Sequence, residues 1–447
     1  MFDPRTLDQR RRLLPGGGLV LGTLPDGTKP LMVRGAGPRI WDHTGRDFVD
    51  CVLGSGALIL GHAHPEVMKA VSRQIGEGTT YYALNPPALA LAERIVHHVP
   101  SAEQIQFCGS GGEAVGYALR LARAVTGRQK IFKFEGAFHG FSDYAQMSGV
   151  PSDPPCYPVP QPDTAGVPQE VSDTVLVAPF NDLGATARII SGHADRLAAV
   201  VVEPLQRAIS PEPGFLEGLR KLCTRHGIVL VFDEVVTGFR LGLGGAQGYY
   251  GISPDLTCLG KIIGGGFPMG AVTGPRSIME LAAHGRRTDR SVFMSGTLNG
   301  NPVSTTAGLA TLEVLERPGV YARLFEIGES LRQTLRESFD GAGIPNQVIG
   351  AGPLIQVFLT GRRIVDYRDT LTANWDFLAA VAQRVVANGI FTTGQKMYLS
   401  LVHSEEDMAQ IWQAWEKALD GLRPHKQRIS GEGSHRINTS GAPTVAG

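Results

Sequence analysis

The sequence predicts an α/β protein built on a mainly parallel central sheet with helices on both faces. Three observations carry this. Six short apolar runs recur from about residue 104 (QIQFC, KIFKFE, TVLVAP, AAVVVEP, IVLVFDE and LTCLG). They are mostly apolar and do not alternate, as expected of strands covered on both sides. Amphipathic stretches such as EAVGYALRLARAVTG and GFLEGLRKLCTRHG lie between them and end at glycine, the usual helix C-cap.

Taken in order, residues 1–55 predict a short polar helix, a break at Pro15–Gly18 and a hairpin. Its strands RIWD and DFVDC flank the turn His43-Thr44-Gly45-Arg46. PEVMKAVSRQI and PALALAERIVHHV have helical periodicity. The strand–helix alternation then runs to about residue 302. From 303 to 423 the pattern is α+β: helices over STTAGLATLEVLE and YARLFEIGESLRQTLRESFDG, and a strand at KMYLSLV. Residues 424–447 are poor in apolar side chains and read as a disordered tail.

The 447 residues carry 42 Lys plus Arg against 42 Asp plus Glu. This balance argues against a nucleic-acid partner. No apolar run reaches the roughly 20 residues of a membrane helix. The charged N-terminus has no signal-peptide core. The five scattered cysteines include no CxxC pair, which fits a reducing compartment and suggests no metal site. A cytoplasmic protein is expected.

Asp233 ends one apolar run and Lys261 follows another 28 positions later. An acid at one strand end and an amine at the next are what a pyridoxal phosphate (PLP) enzyme needs, one for the ring nitrogen and one for the Schiff base. Each residue has a plainer reading. Lys261 alone could be a solvated lysine. Asp233-Glu234 resembles the magnesium strand of a P-loop ATPase, but no GxxxxGK[ST] precedes it. Gly109-Ser110-Gly111-Gly112 follows a strand and opens a helix, where backbone N–H groups can cradle a phosphate. The same stretch fits the dinucleotide fingerprint as Gly109-x-Gly111-x-x-Ala114, with Glu135 as the ribose ligand. Phe138-His139 lies in a strand-to-helix loop, so Phe138 either fills the core or stacks on a flat ring. Thr297 in SGTLNGNP is an anion ligand or an ordinary helix-capping residue.

Together these segments resemble the class III (subgroup II), fold-type I PLP-dependent aminotransferases, in the glutamate-1-semialdehyde 2,1-aminomutase branch. The resemblance runs from about Pro15 to Leu419 and rests on LILGHAHPEV, EGAFHG, FDEVVTGFRLGLGGAQGYYG, PDLTCLGKIIGGG and GTLNGNP. It implies a large PLP-binding unit at 56–302 and a small α+β unit built from both chain ends, 1–55 and 303–423. It implies that Lys261 holds PLP and shuttles a proton, and that Asp233 holds the pyridinium proton. Val235 and Phe138 would cover the two ring faces. Ser110, Gly111 and Gly112 would bind the phosphate. His139 and Glu203 would lie at the cofactor, and Thr297 would reach the phosphate of a partner subunit, making the enzyme a homodimer with shared sites.

The departures concern substrate. Aminomutases of this branch have an arginine and a serine where this chain has Val20 and Thr23, a tryptophan at Ser55 and a glutamate at Gln395. The expected activity is therefore transamination between an amine or amino acid and an oxo compound, with a larger or less polar substrate lodged near Val20, Ser55, Phe138 and Gln395. If a substrate carboxylate is held after all, Arg207 or Lys396 would hold it. The alternatives are an aminomutase or epimerase, an NAD-dependent oxidoreductase using Gly109–Ala114, and a non-catalytic partner protein on the same fold.

Overall fold

Both ends of the chain enter one small sheet. The computed structural model describes residues 7–18, 30–283 and 288–420. Strands β1 (Met32–Ala36), β2 (Arg39–Asp42) and β3 (Asp47–Asp50) pair antiparallel, with β2 and β3 forming the expected hairpin. Near the other end, β13 (Ile390–Phe391) adds to β3 in parallel, Ile390 opposite Val49.

All six apolar runs form strands: β4 (Gln104–Cys108), β5 (Lys130–Phe134), β6 (Val175–Ala178), β7 (Leu197–Val202), β8 (Val229–Asp233) and β9 (Leu256–Leu259). A seventh, β10 (Gly270–Gly274), completes the order β4-β10-β9-β8-β7-β5-β6. The pairs β5–β6, β5–β7, β7–β8 and β8–β9 are parallel, while β10 runs antiparallel to both neighbours. The expectation of a mainly parallel sheet holds. Sequence reading missed β10 because GAVTG is short and bounded by glycine. Tight packing selects Gly270, where a Cβ would lie 2.2 Å from the Ser110 carbonyl oxygen.

Alternate residues of each strand enter different cores. Val229 and Val231 pack with the helix α3 described next, while Leu230 and Phe232 pack on the opposite face. That division explains why the runs are apolar without alternation. Helices α1 (Pro65–Glu77) and α2 (Pro86–His98) precede the sheet, and α3 (Gly111–Thr126) crosses one face. Helices α4 (Leu183–His193) and α5 (Phe215–His226) cover the other. Gly127 and Gly227 end α3 and α5 in the left-handed conformation that glycine adopts without strain.

The remainder is α+β, as expected. Helices α6 (Pro302–Leu315) and α7 (Val320–Gly341) lead into an antiparallel sheet of β11 (Gln347–Ile349), β12 (Leu354–Phe358) and β14 (Lys396–Tyr398). Helices α8 (Tyr367–Thr370), α9 (Trp375–Ala387) and α10 (Glu405–Asp420) complete it. The strand expected over KMYLSLV covers only its first three residues. Val20, Thr23 and the tail from 424 lie outside the described residues.

Candidate active site

The carboxyl ends of β5, β7, β8 and β9 share one edge of the sheet because these strands are parallel. Side chains remote in sequence therefore meet there, the usual place for a ligand in such sheets. They line a cavity of about 1160 Å³. Of the residues expected from sequence, Ser55, Ser110, Gly111, Gly112, Phe138, His139, Glu203, Asp233, Val235, Lys261 and Gln395 all line it. Thr297 does not; it is exposed in the segment leading to α6.

Asp233 closes β8 and is buried. One carboxylate oxygen accepts the Val235 amide (3.1 Å), and the other meets His139 Nδ1 at 2.8 Å. His139 thereby fixes the carboxylate, while its own Nε2 is buried without a protein partner. The neighbouring acid, Glu234, points elsewhere. It accepts from the Ala246 and Gln247 amides and from Thr237, pinning the turn that follows β8. Burial pushes Glu234 up despite these donors. The two acids thus have separate tasks, and only Asp233 faces the cavity.

Lys261 follows β9 through Gly260 and has a left-handed backbone, φ 47°. Such a conformation in a non-glycine residue is strained and is found preferentially at functional sites. Burial lowers its pKa, against the opposing pull of Asp233. A lysine with less hold on its proton is a better nucleophile and a better proton carrier.

Ser110 caps α3, its hydroxyl accepting the Glu113 amide at 3.2 Å, and Glu113 in return accepts the Gly109 amide at 2.8 Å. The Gly111 and Gly112 amides stand in the first helical turn, where no intrahelical acceptor exists. Small residues make room for them. A Cβ on Gly111 would lie 2.7 Å from both Val235 methyls, and one on Gly140 would lie 2.5 Å from the Gly112 Cα. Phe138 is 45% exposed, one edge against Phe141. Its amide donates to Glu203 at 2.7 Å, and Arg207 lies over its ring at 5.5 Å. Burial would raise Glu203, but the positive charge of Arg207, with lesser help from His139 and Lys396, holds it below its ordinary value.

Glu135 does not serve the cavity. It is buried, accepts from the Tyr157 hydroxyl at 2.6 Å and forms a two-armed ion pair with Arg368. The acid needed for the ribose of a dinucleotide is thus already engaged, which removes the support for that alternative. Among the described residues, no cluster of His, Cys, Asp and Glu could hold a metal.

The residues present fit PLP. They bring a buried carboxylate, an amine, amides at a helix N-terminus that could take a phosphate, and the apolar side chains of Phe138 and Val235 to one cavity. A family model described as aminotransferase class-III matches residues 25–419. The chain belongs to the class-III aminotransferases. Like them, it is a PLP-dependent enzyme of fold type I. It is 40% identical over 424 residues to glutamate-1-semialdehyde 2,1-aminomutase of Pelotomaculum thermopropionicum, covering 91% of this chain and 94% of that protein. An ω-transaminase from Sphaerobacter thermophilus superposes with a TM-score of 0.89 at 38% identity, covering 93% of this chain and 97% of that one. A transaminase with PLP bound gives 0.86 at 29% identity, covering 94% and 97%.

Sequence reading did not anticipate the wall opposite the sheet, made by Gln356, Phe358, Tyr367, Leu371, Trp375 and Tyr398. No motif marks these residues. They come from β12, α8, the start of α9 and β14, and only the packing of the α+β part on the sheet edge brings them to the cavity.

Proposed function

We propose that this class-III aminotransferase is a transaminase that moves an amino group between an amine or amino acid and an oxo compound. The observation that carries the reading is the cavity wall at Ser55. A hydroxymethyl stands there where the aminomutase branch has an indole, and the neutral Gln395 stands where that branch has a glutamate. Ser55 lies in a run of left-handed residues from Leu53 to Gly56 (φ 49° to 83°), and Arg240 donates to the Gly56 carbonyl.

When bound, PLP supplies an electron sink beside the substrate's amino carbon. Asp233 places negative charge for the ring nitrogen, and His139 keeps that carboxylate in place. The Lys261 amine, its pKa lowered, can take a proton from the substrate carbon and return one. Phe138 and Val235 would shield the ring from water. The Gly111 and Gly112 amides would hold the phosphate, with the Ser110 cap keeping the helix start in register. Replacing Lys261 with Ala tests the assignment: the borohydride-reducible adduct and turnover should both vanish. A variant that keeps them would refute it.

The second reading is an aminomutase. The 40% identity to a protein of that name favours it. Glutamate 1-semialdehyde offered alone separates the two. Efficient formation of 5-aminolevulinate supports the aminomutase, whereas net transfer to an added 2-oxo acid supports the transaminase.

The working unit in this reading is a homodimer, in the cytoplasm, with Thr297 completing the partner's phosphate site. In support, Tyr82, Leu84, Phe141, Phe293 and Leu298 are 59–83% exposed in the single chain, large apolar side chains that a partner subunit would cover. Among the described residues no helix is long and apolar enough to cross a membrane. The chain divides, in this reading, into a large unit at 56–302 and a small unit from 1–55 and 303–423.

A further inference from the structure

Three cations and two carboxylates line the cavity: Arg207, Lys261 and Lys396 against Glu203 and Asp233. Lys261 and Asp233 are committed to the cofactor. Glu203 is occupied as well, since its two oxygens accept the amides of Phe138 and Arg207 at 2.7 and 3.1 Å. Arg207 spends its Nε on the Gly136 carbonyl at 2.9 Å. Among the described residues, neither the Nη atoms of Arg207 nor the Nζ of Lys396 has a hydrogen bond or an acidic partner. Arg207 is held in this position by a left-handed backbone, φ 60°. The two cations come from elements 189 positions apart, one after β7 and one opening β14, yet they feel each other's charge. The same cavity is lined by Phe358 and Trp375, which meet edge to face at 5.7 Å, and by Leu371, which is 41% exposed.

We propose that Arg207 and Lys396 form the subsite for a substrate carboxylate, and that Phe358, Leu371 and Trp375 receive its apolar skeleton. The substrate class is then an amino acid with a bulky apolar group, together with the matching oxo acid. This rests on the reading that Lys261 carries PLP. It also revises the expectation of a less polar amine: the positive charge absent at Val20 and Thr23 is supplied by Arg207 and Lys396. Glu203 offsets part of this positive charge but its oxygens are taken by backbone amides, so one substrate carboxylate would relieve the repulsion between the two cations with charge-assisted hydrogen bonds. A neutral amine would leave both without an anionic acceptor.

Lys396 has a consequence for pH. Burial, followed by the charge of Arg207, brings it down to about 7, against the pull of Glu203; Lys261 and Arg240 also face it and lower it. Its protonated form binds the anion. Carboxylate affinity is therefore full below about pH 7 and falls above it, until Arg207 alone remains charged.

The test uses the PLP-loaded enzyme and two unreactive probes, 3-phenylpropionate and its neutral counterpart 3-phenylpropanamide, titrated by calorimetry. The carboxylate should bind more tightly than the amide. Lys396→Met and Arg207→Gln should each weaken it by about tenfold or more, the range for a hydrogen bond to a charged group, and leave the amide within about twofold. Lys396→Arg should retain most of the carboxylate affinity. In the unmodified enzyme only the carboxylate should lose affinity between pH 6.5 and 8.5, the window around the lysine's value of about 7. Equal binding of the two probes, or an unchanged carboxylate Kd in both charge-removing variants, overturns the proposal. The visible absorbance of bound PLP, recorded on the same samples, reports separately on Lys261. A missing band would count against that assignment while the probe titration still judges the subsite.

Discussion

Adding one methyl group at Gly111 tests the cofactor cradle with the least chemical change. In Gly111→Ala the new Cβ would stand 2.7 Å from both Val235 methyls, against an ordinary carbon contact of about 3.5–4.0 Å. Something must give by about 1 Å. Gly111 opens α3 and is held by helix geometry, so Val235 is the group that moves. Its room is limited because the Gly260 backbone crowds the same contact: a Cβ there would be 3.1 Å from Val235 Cγ1 and 3.4 Å from the Gly111 Cα. Overpacking of this kind costs about 1–3 kcal/mol. If that cost falls on the conformation that accepts PLP, the Kd for PLP rises about 5- to 150-fold. The assay is titration of apoenzyme with PLP by visible absorbance, with a thermal melt of the apo form to separate binding from folding. A double-mutant cycle supplies the decisive comparison. Val235→Ala removes the methyls that collide, so Gly111→Ala in that background should bind PLP nearly as well as Val235→Ala alone. If Gly111→Ala binds PLP normally, or the second substitution rescues nothing, Val235 is not packed between the phosphate loop and the ring and the cradle has been misread.

Other expectations follow from the same geometry. Asp233→Asn preserves shape but removes the charge that opposes the lowering of the Lys261 pKa. Single-turnover proton transfer should slow about a hundredfold or more, and the Lys261 titration should move further down; an unchanged rate would assign Asp233 another task. Subunits carrying Lys261→Ala mixed with subunits carrying Thr297→Val should recover about one quarter of normal activity, because half the dimers are hybrids with one intact site each; no recovery after verified subunit exchange would place Thr297 outside the shared site. Ser55→Trp should raise KM for bulky substrates more than for alanine, and equal effects on both would show that the wall at Ser55 does not contact the side chain. Arg368→Met leaves the buried Glu135 carboxylate with only the Tyr157 hydroxyl, and with Arg368 itself partly solvated it should cost about 1–3 kcal/mol of stability by denaturant melt, with the PLP absorbance of the folded enzyme unchanged; no measurable loss would mean that water replaces the ion pair.

Much of this protein was legible in its sequence because local chemistry marks it. A strand buried on both faces favours apolar residues at nearly every position, and so the six runs stood out. Glycines at helix ends and at the opening of α3 announced themselves through the backbone conformations and close approaches that only they permit. Asp233 and Lys261 were visible as polar groups that interrupt apolar runs, and parallel strands guaranteed that both would arrive at the same edge. Tertiary structure decided the rest. It chose Asp233 over Glu234 for the cavity, because successive side chains at a strand end turn to opposite sides. It committed Glu135 to Arg368 and Tyr157, partners more than 20 positions away, and so closed the dinucleotide reading. It inserted β10 next to Ser110, where the fit is set by a backbone 160 residues upstream. Above all, it brought Arg207 and Lys396 to one cavity. Neither belongs to a local pattern, since their pairing depends on how β14 packs against the edge of a sheet made elsewhere in the chain, and charge acts through space without regard to position along the sequence.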